Sequence, residues 1–298
     1  MTDSRITRRG VIALTAVGLA GCAGSDEREN GDDDEIEGID DGDDEDDSDG
    51  QPAEPPERDI TVDWDEAPTF RTWLLRTGSN SRFDYTATFP DGADPAEQFP
   101  AFFGLSAGDV DAHLIQTGTH LFFGSFDTEA ILDGVQETDG VELTSQYEGY
   151  AVVTEDRSDG PPREIAVGGD AIIVGPDYER RIDASRGDHD RLEELDPEFT
   201  HLFRELPHET TVSAQYGGMS ALEVDDIYCW GVSSESPSAE TMTWVFVFAT
   251  EPDSDVLSDL EEIAGELEES TLEGRTATVV GSAPEVPRPD AGLSENGR

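Results

Sequence analysis

Seventy acidic side chains stand against eighteen basic ones in this 298-residue chain, a formal charge of −52, and every basic residue is an arginine. Like charges at that density oppose compaction in dilute buffer. In molar salt the Debye length falls to about 3 Å and the repulsion is largely screened. A folded state therefore has to be assembled in salt, from short apolar runs set between acids. The same balance excludes direct binding to DNA or RNA phosphates, because no basic patch exists to displace their counterions.

The apolar runs fall between Ile60 and about Pro284. Strand-like stretches occupy Phe83 to Phe89, Leu114 to Thr117, His120 to Phe126 and Tyr147 to Thr154. Asp127 stands where a helix N-cap belongs, ahead of Ile131, Leu132 and Val135 on one face. Arg163 to Val167 and Ala171 to Gly175 flank Gly168-Gly169-Asp170, which reads as a hairpin. Asp177 is placed to cap a short helix that stops at Gly187, and Asp196-Pro197 opens another whose apolar stripe is Phe199, Leu202, Phe203 and Leu206. The last third predicts strands at Ile227 to Val232 and Met242 to Thr250, a helix from Ser254 to Glu269, and a strand from Gly274 to Val280.

Set side by side, His113 to Thr154 and the last third both run strand, strand, acid-capped helix, strand. Their final strands open on Glu148-Gly149 and Glu273-Gly274. The expected fold is α+β: antiparallel sheets with helices on one face, in two related β-β-α-β halves, residues 59–208 and 209–286. The segment 23–58 is Asp, Glu, Gly, Ser and Pro with almost nothing to bury, so it is expected to be a disordered acidic tether, and 287–298 a disordered tail.

Residues 1–22 carry an address. Arg5, Arg8 and Arg9 precede an apolar run from Val11 to Ala20, about half the ~20 residues needed to span a bilayer. Arg8-Arg9 resembles the twin-arginine export signal, and Leu19-Ala20-Gly21-Cys22 resembles the lipobox of prokaryotic lipoproteins. That resemblance implies cleavage before Cys22 and attachment of lipid to its sulfur, with two acyl chains enough for stable anchoring. Acid abundance without lysine is similar to the proteins of salt-loving archaea. Together these features resemble haloarchaeal lipoproteins exported by the twin-arginine route, and imply a location on the outer side of the cell membrane. Lipidation of Cys22 would leave Cys229 as the remaining thiol, so no disulfide framework is expected.

The search for chemistry returns little. His113 and His120, like His201 and His208, are seven apart, which is not a spacing that gathers metal ligands on a helix or tight turn. No histidine follows Cys229, so a blue-copper set is ruled out. A Gly-x-Ser-x-Gly elbow and a phosphate loop are both absent. No catalytic residue, metal or cofactor is assigned. Trp64, Trp73, Phe102, Phe103, Trp230 and Trp244 are either core or a ligand platform. The expectation is a non-catalytic binding or envelope-assembly module, partnered by the membrane through its lipid and by a protein or small-molecule ligand. The alternative is an extracytoplasmic enzyme or solute-binding subunit whose site is built from dispersed acids and aromatics.

Overall fold

Alternation of apolar and polar side chains along short runs dictates strands that must pair to bury their inner faces. The computed structural model describes residues 55–78, 80–89, 99–157, 160–219, 222 and 224–283. Its first half holds β1 (Phe83–Thr86), β2 (Val110–Gln116), β3 (Thr119–Gly124), α1 (Thr128–Gln136), β4 (Val141–Tyr147), β5 (Tyr150–Glu155), β6 (Arg163–Val167) and β7 (Ala171–Val174). Helices α2 (Tyr178–Arg186), α3 (Leu192–Leu195) and α4 (Pro197–Glu205) follow. The second half holds β8 (Thr211–Tyr216), β9 (Ile227–Ser234), β10 (Thr241–Phe248), α5 (Val256–Glu261), β11 (Leu267–Glu273) and β12 (Thr276–Ser282). All twelve strands form one antiparallel sheet in the order β11-β12-β10-β9-β8-β1-β2-β3-β7-β6-β5-β4. The fold is α+β, as the sequence leads one to expect.

The halves meet where β1 pairs with β8, Phe83 opposite Ala214 and Tyr85 opposite Val212. From that seam each half runs a three-strand meander, a helix, and a return that ends beside the meander's last strand. In the second half the return is the single hairpin β11–β12. In the first it is β4 to β7, one hairpin longer. Glu148-Gly149 and Glu273-Gly274 turn the outermost hairpin of each half, with Gly149 at φ 87° and Gly274 at φ 58°, conformations that glycine adopts without strain.

The helices occupy both faces, where one had been expected. Leu121 and Ile173, paired across β3 and β7, belong to the core under α2–α4, with Phe83, Leu114, Ile182, Phe199 and Leu202. Their chain neighbours Phe122 and Ile172 point the other way, into a core with Ile131 and Val135 of α1, Phe103, Val153 and Ile165. The period of two along each strand makes a second core unavoidable once both neighbours are apolar. A fully buried Leu or Phe contributes about 1.5–3 kcal/mol, and Phe83, Phe199 and Leu114 are each 0% exposed.

Caps fix several helix ends. The Asp127 carboxylate accepts from Ala130 N at 3.1 Å, and Asp196 accepts from Glu198 N at 2.9 Å with Pro197 beside it. Gly187 closes α2 at φ 83°. Asp177 occupies the N-cap position of α2 but in a left-handed conformation, φ 65°, without a side-chain capping bond. The expected helix from Ser254 to Glu269 is shorter: α5 ends at Glu261, and Leu267–Glu273 is the strand β11. The backbone beyond it is paired with β12 instead: Gly265 N donates to Ser282 O at 3.1 Å and Ser282 N to Glu266 O at 2.9 Å.

Residues 55–76 cross over α3 and α4 as a strap. Arg58 pairs with Glu198 at 3.1 Å and Arg71 with Glu193 through Nε–Oε1 at 2.7 Å. The Trp64 indole donates to Glu194 at 3.0 Å, and Arg204 donates to Thr61 O at 2.8 Å. Arg58, which composition assigns to the tether, is thus tied to the folded domain. Beneath the strap Arg181, 0% exposed, donates to Trp73 O, Gln116 Oε1 and Gln116 O at 3.2, 2.9 and 3.1 Å. Burial draws its pKa down to about 10, opposed by Asp177.

Candidate functional site

The residues of the export and lipidation signals, Arg8, Arg9, Leu19, Ala20, Gly21 and Cys22, lie outside the described residues, as do most of the tether and the tail 287–298. Among the described residues, a cleft of about 400 Å³ lies where two turns of the sheet meet the end of a helix. Glu148 and Gly149 come from the β4–β5 turn, Gly168, Gly169 and Asp170 from the β6–β7 turn, Ser185 and Arg186 from the end of α2, and Thr69, Thr72 and Trp73 from the strap.

Each wall is held in place by its own chemistry. Tyr150 enters from β5 and its hydroxyl donates to Asp170 Oδ1 at 3.0 Å. It can pass only because residue 168 is glycine, for a Cβ there would lie 2.3 Å from the ring. Burial, and then the Asp170 carboxylate, push the Tyr150 phenol above its ordinary pKa, so it remains protonated and donates. Arg186 pairs with Glu148 and also donates to its carbonyl, joining α2 to the turn. Beside the cleft, Tyr147 donates to Asp183 at 2.9 Å, and that hydrogen bond, with burial and nearby acids, pushes its phenol up to about 12. The floor is aromatic and the rim carries two carboxylates, one guanidinium and three hydroxyls. Such a set can hydrogen-bond a small polar solute from several sides.

A second cleft, of about 360 Å³, lies beside the corresponding turn at Glu273-Gly274. There Arg58 and Arg275 converge on Glu198, whose side chain is 2% exposed, at 3.1 and 2.6 Å. His201 Nε2 lies 2.8 Å from Thr276 Oγ1, so this histidine is engaged with β12. Burial, followed by Arg58, lowers its pKa.

The structure brings His113 and His120 together across the β2–β3 hairpin, Nε2 to Nδ1 at 3.1 Å, with the His113 ring stacked on Phe122 at 4.2 Å. Burial, then the neighbouring imidazole, pulls His113 down to about 3; His120 is lowered by burial and by Arg163. Both rings are neutral at neutral pH, sharing one proton-mediated contact. Among the described residues no group of three or more His, Cys, Asp or Glu is placed to hold a metal ion. Cys229 is 0% exposed, and burial raises its thiol well above the usual range.

The aromatic residues do not make an exposed platform. Trp73, Phe103, Trp230 and Trp244 are 3%, 4%, 6% and 4% exposed, and Trp64 is stacked beneath the Arg191 guanidinium at 4.2 Å. Tyr150, Asp170, Glu148 and Arg186 were not singled out as a set from sequence. Their turns were legible, but nothing in the sequence says that two turns 20 residues apart and a helix end face one hollow.

No family model and no curated protein matches the chain. Two solved structures, of crystal forms I and IV of TP0453, are similar over 72% of this chain and 93% of that chain. Their TM-scores are 0.45 and 0.39, at 8% and 10% sequence identity.

Proposed function

We propose that this protein is a lipid-anchored module on the outer face of a halophile's membrane, which acts by binding a small polar solute rather than by catalysis. The cleft under Glu148 and Arg186 carries the reading: pairing with one another fixes its polar groups on the sheet, Tyr150 by its O–H to Asp170 and Arg186 by its bond to Glu148, while carboxylate lone pairs and further guanidinium N–H groups are left for a solute. Groups so positioned recognise hydroxyls and amides without first reorganising. Anchoring rests on the Arg8-Arg9 and Leu19-Ala20-Gly21-Cys22 signals, with the acidic tether setting the domain off from the bilayer.

The presence of Glu148 and Asp170 in the same cleft supports a second reading, hydrolysis of a glycosidic bond by paired carboxylates. One experiment separates the two. Monosaccharides, oligosaccharides and amino acids are titrated into the full chain in concentrated salt, with Trp73 fluorescence reporting occupancy and product analysis reporting turnover. A solute that saturates the signal unchanged, and loses affinity at least tenfold with Asp170→Asn, supports binding. Release of a cleaved sugar, abolished by Glu148→Gln, would replace it with the enzyme reading. No saturable response from any compound would remove the cleft from the account.

A further inference from the structure

A solute held in the cleft at Glu148 and Asp170 has to answer the hydrogen-bonding groups that the walls leave open, so counting them limits its chemistry. Most of the side-chain donors are already engaged. The Tyr150 hydroxyl gives its one proton to Asp170 Oδ1 at 3.0 Å, and burial together with that carboxylate keeps the proton in place. Thr72 Oγ1 donates to Thr69 O at 2.8 Å, and Ser185 Oγ to Ile182 O at 2.7 Å. Gly168 N donates to Ala171 O at 2.9 Å. Arg186 directs one N–H to the Glu148 carboxylate and another to its carbonyl. What the walls can still donate is the Thr69 hydroxyl, the other guanidinium N–H groups and amides of the turns.

The acceptors are the larger set. Among the described residues nothing donates to Asp170 Oδ2 or Glu148 Oε1, and the Tyr150, Thr72 and Ser185 oxygens keep lone pairs. Two carboxylates against one guanidinium also leave one negative charge in excess within the cleft. The chain's total of −52 does not decide what enters, because in molar salt screening sets in at about 3 Å and only groups in contact with the solute select it. An anion would meet carboxylates it cannot pair with, and a neutral polyol would leave the excess charge unanswered. We propose that the solute held between these turns is a small protonated amine, whose ammonium N–H groups donate to Asp170 and Glu148. The proposal rests on the reading of the cleft as a solute-binding site and narrows it to one chemical class. An ammonium brings three donors and no acceptor, which matches walls whose open groups are mainly acceptors. Its hydrogen bonds to carboxylates are charge-assisted, about twice as strong as those between neutral groups. Arg186 then has a positioning role: it holds Glu148 and trims the cleft's charge to that of one ammonium.

Calorimetric titration of the full chain, in detergent and multimolar potassium chloride, tests this with three probes built on one sugar ring. Glucosamine is cationic, glucose neutral and glucuronate anionic. Glucosamine should saturate and bind at least tenfold more tightly than glucose, and glucuronate should not saturate. Tetramethylammonium, a cation without N–H donors, should fail to displace glucosamine. Raising the pH until the amine loses its proton should bring its affinity down to that of glucose. Asp170→Asn keeps an oxygen to accept from Tyr150, so it should weaken glucosamine at least tenfold and leave glucose unmoved. Glucose or glucuronate binding as tightly as glucosamine, displacement by tetramethylammonium, or an affinity indifferent to the amine's proton would overturn the amine assignment while a solute-binding cleft stood. An equal loss for glucose and glucosamine in Asp170→Asn would do the same. Saturation by none of the probes would overturn this proposal, and saturation by no compound at all would remove the cleft with it.

Discussion

Replacing Arg71 with leucine should damage this protein far more than removing an arginine from its surface. Arg71 grips Glu193 at 2.7 and 2.5 Å, and the Glu193 side chain is 0% exposed. Removing one partner of a buried pair strands the other in a poorly solvated site, at a cost of about 3–5 kcal/mol. The guanidinium also lies over the Phe203 ring at 4.6 Å, a contact worth about 0.5–1 kcal/mol that leucine replaces only in part. For a domain of this size each kcal/mol moves Tm by about 2–4 °C, so a fall of about 6–20 °C is expected. Circular dichroism melts in multimolar salt are the assay, because a buried pair is little screened. Arg186→Leu breaks a pair whose side chains are 40% and 57% exposed and should shift Tm very little under those conditions. Changing both Arg71 and Glu193 to leucine should recover most of the loss, since apolar isosteres often replace a buried pair without penalty. An Arg71→Leu variant melting within about 2 °C of the parent, or a double variant no better than the single, would refute this view of the strap.

Three further outcomes follow from the same geometry. Gly168→Ala puts a methyl 2.3 Å from the Tyr150 ring, so it should destabilise the domain by about 1–3 kcal/mol and break the Tyr150–Asp170 hydrogen bond, checked by melting and by the phenol's ultraviolet titration. His113 is held near 3 in the fold and near 6.5 when unfolded. Between those values the unfolded chain binds a proton that the folded chain refuses, so stability falls as pH drops through that window, and His113→Phe should flatten the decline by a few kcal/mol at most. Lowering the salt to below about 0.5 M should unfold the domain as the charge of −52 becomes unscreened, and a melting curve indifferent to salt would contradict the solvent argument.

How much of this was legible beforehand divides along physical lines. Local signals worked where one residue type does one job: Asp127 and Asp196 cap, Gly187 stops α2, and Gly168-Gly169-Asp170 turns a hairpin. Strands with a strong inner face, such as Met242 to Phe248, were plain as well. What escaped notice were the elements that bury little. β4 and β11 lie at the edges with mostly exposed side chains, and acids suit the open side of an edge strand as well as they suit a helix, so Glu266 to Glu269 read as helical. The double helical layer was invisible because it depends on whether Leu121 and Phe122 face one core or two. The cleft was hidden for a related reason: register and topology, not sequence proximity, bring Glu148, Asp170 and Arg186 to one place.

The arginines give the charge a structural meaning. Arg58, Arg71, Arg181, Arg191 and Arg275 point inward or along the strap, where they answer buried carboxylates and carbonyls. Acids are left to dominate the surface. Scarce cations are thereby spent where screening by salt is weakest.

Mass spectrometry of the amino terminus, on protein extracted from native membranes, tests the central claim most directly. The account predicts a chain beginning at Cys22 and heavier by a two-chain lipid on that sulfur. A chain that retains Met1, or a bare thiol at Cys22, would contradict it.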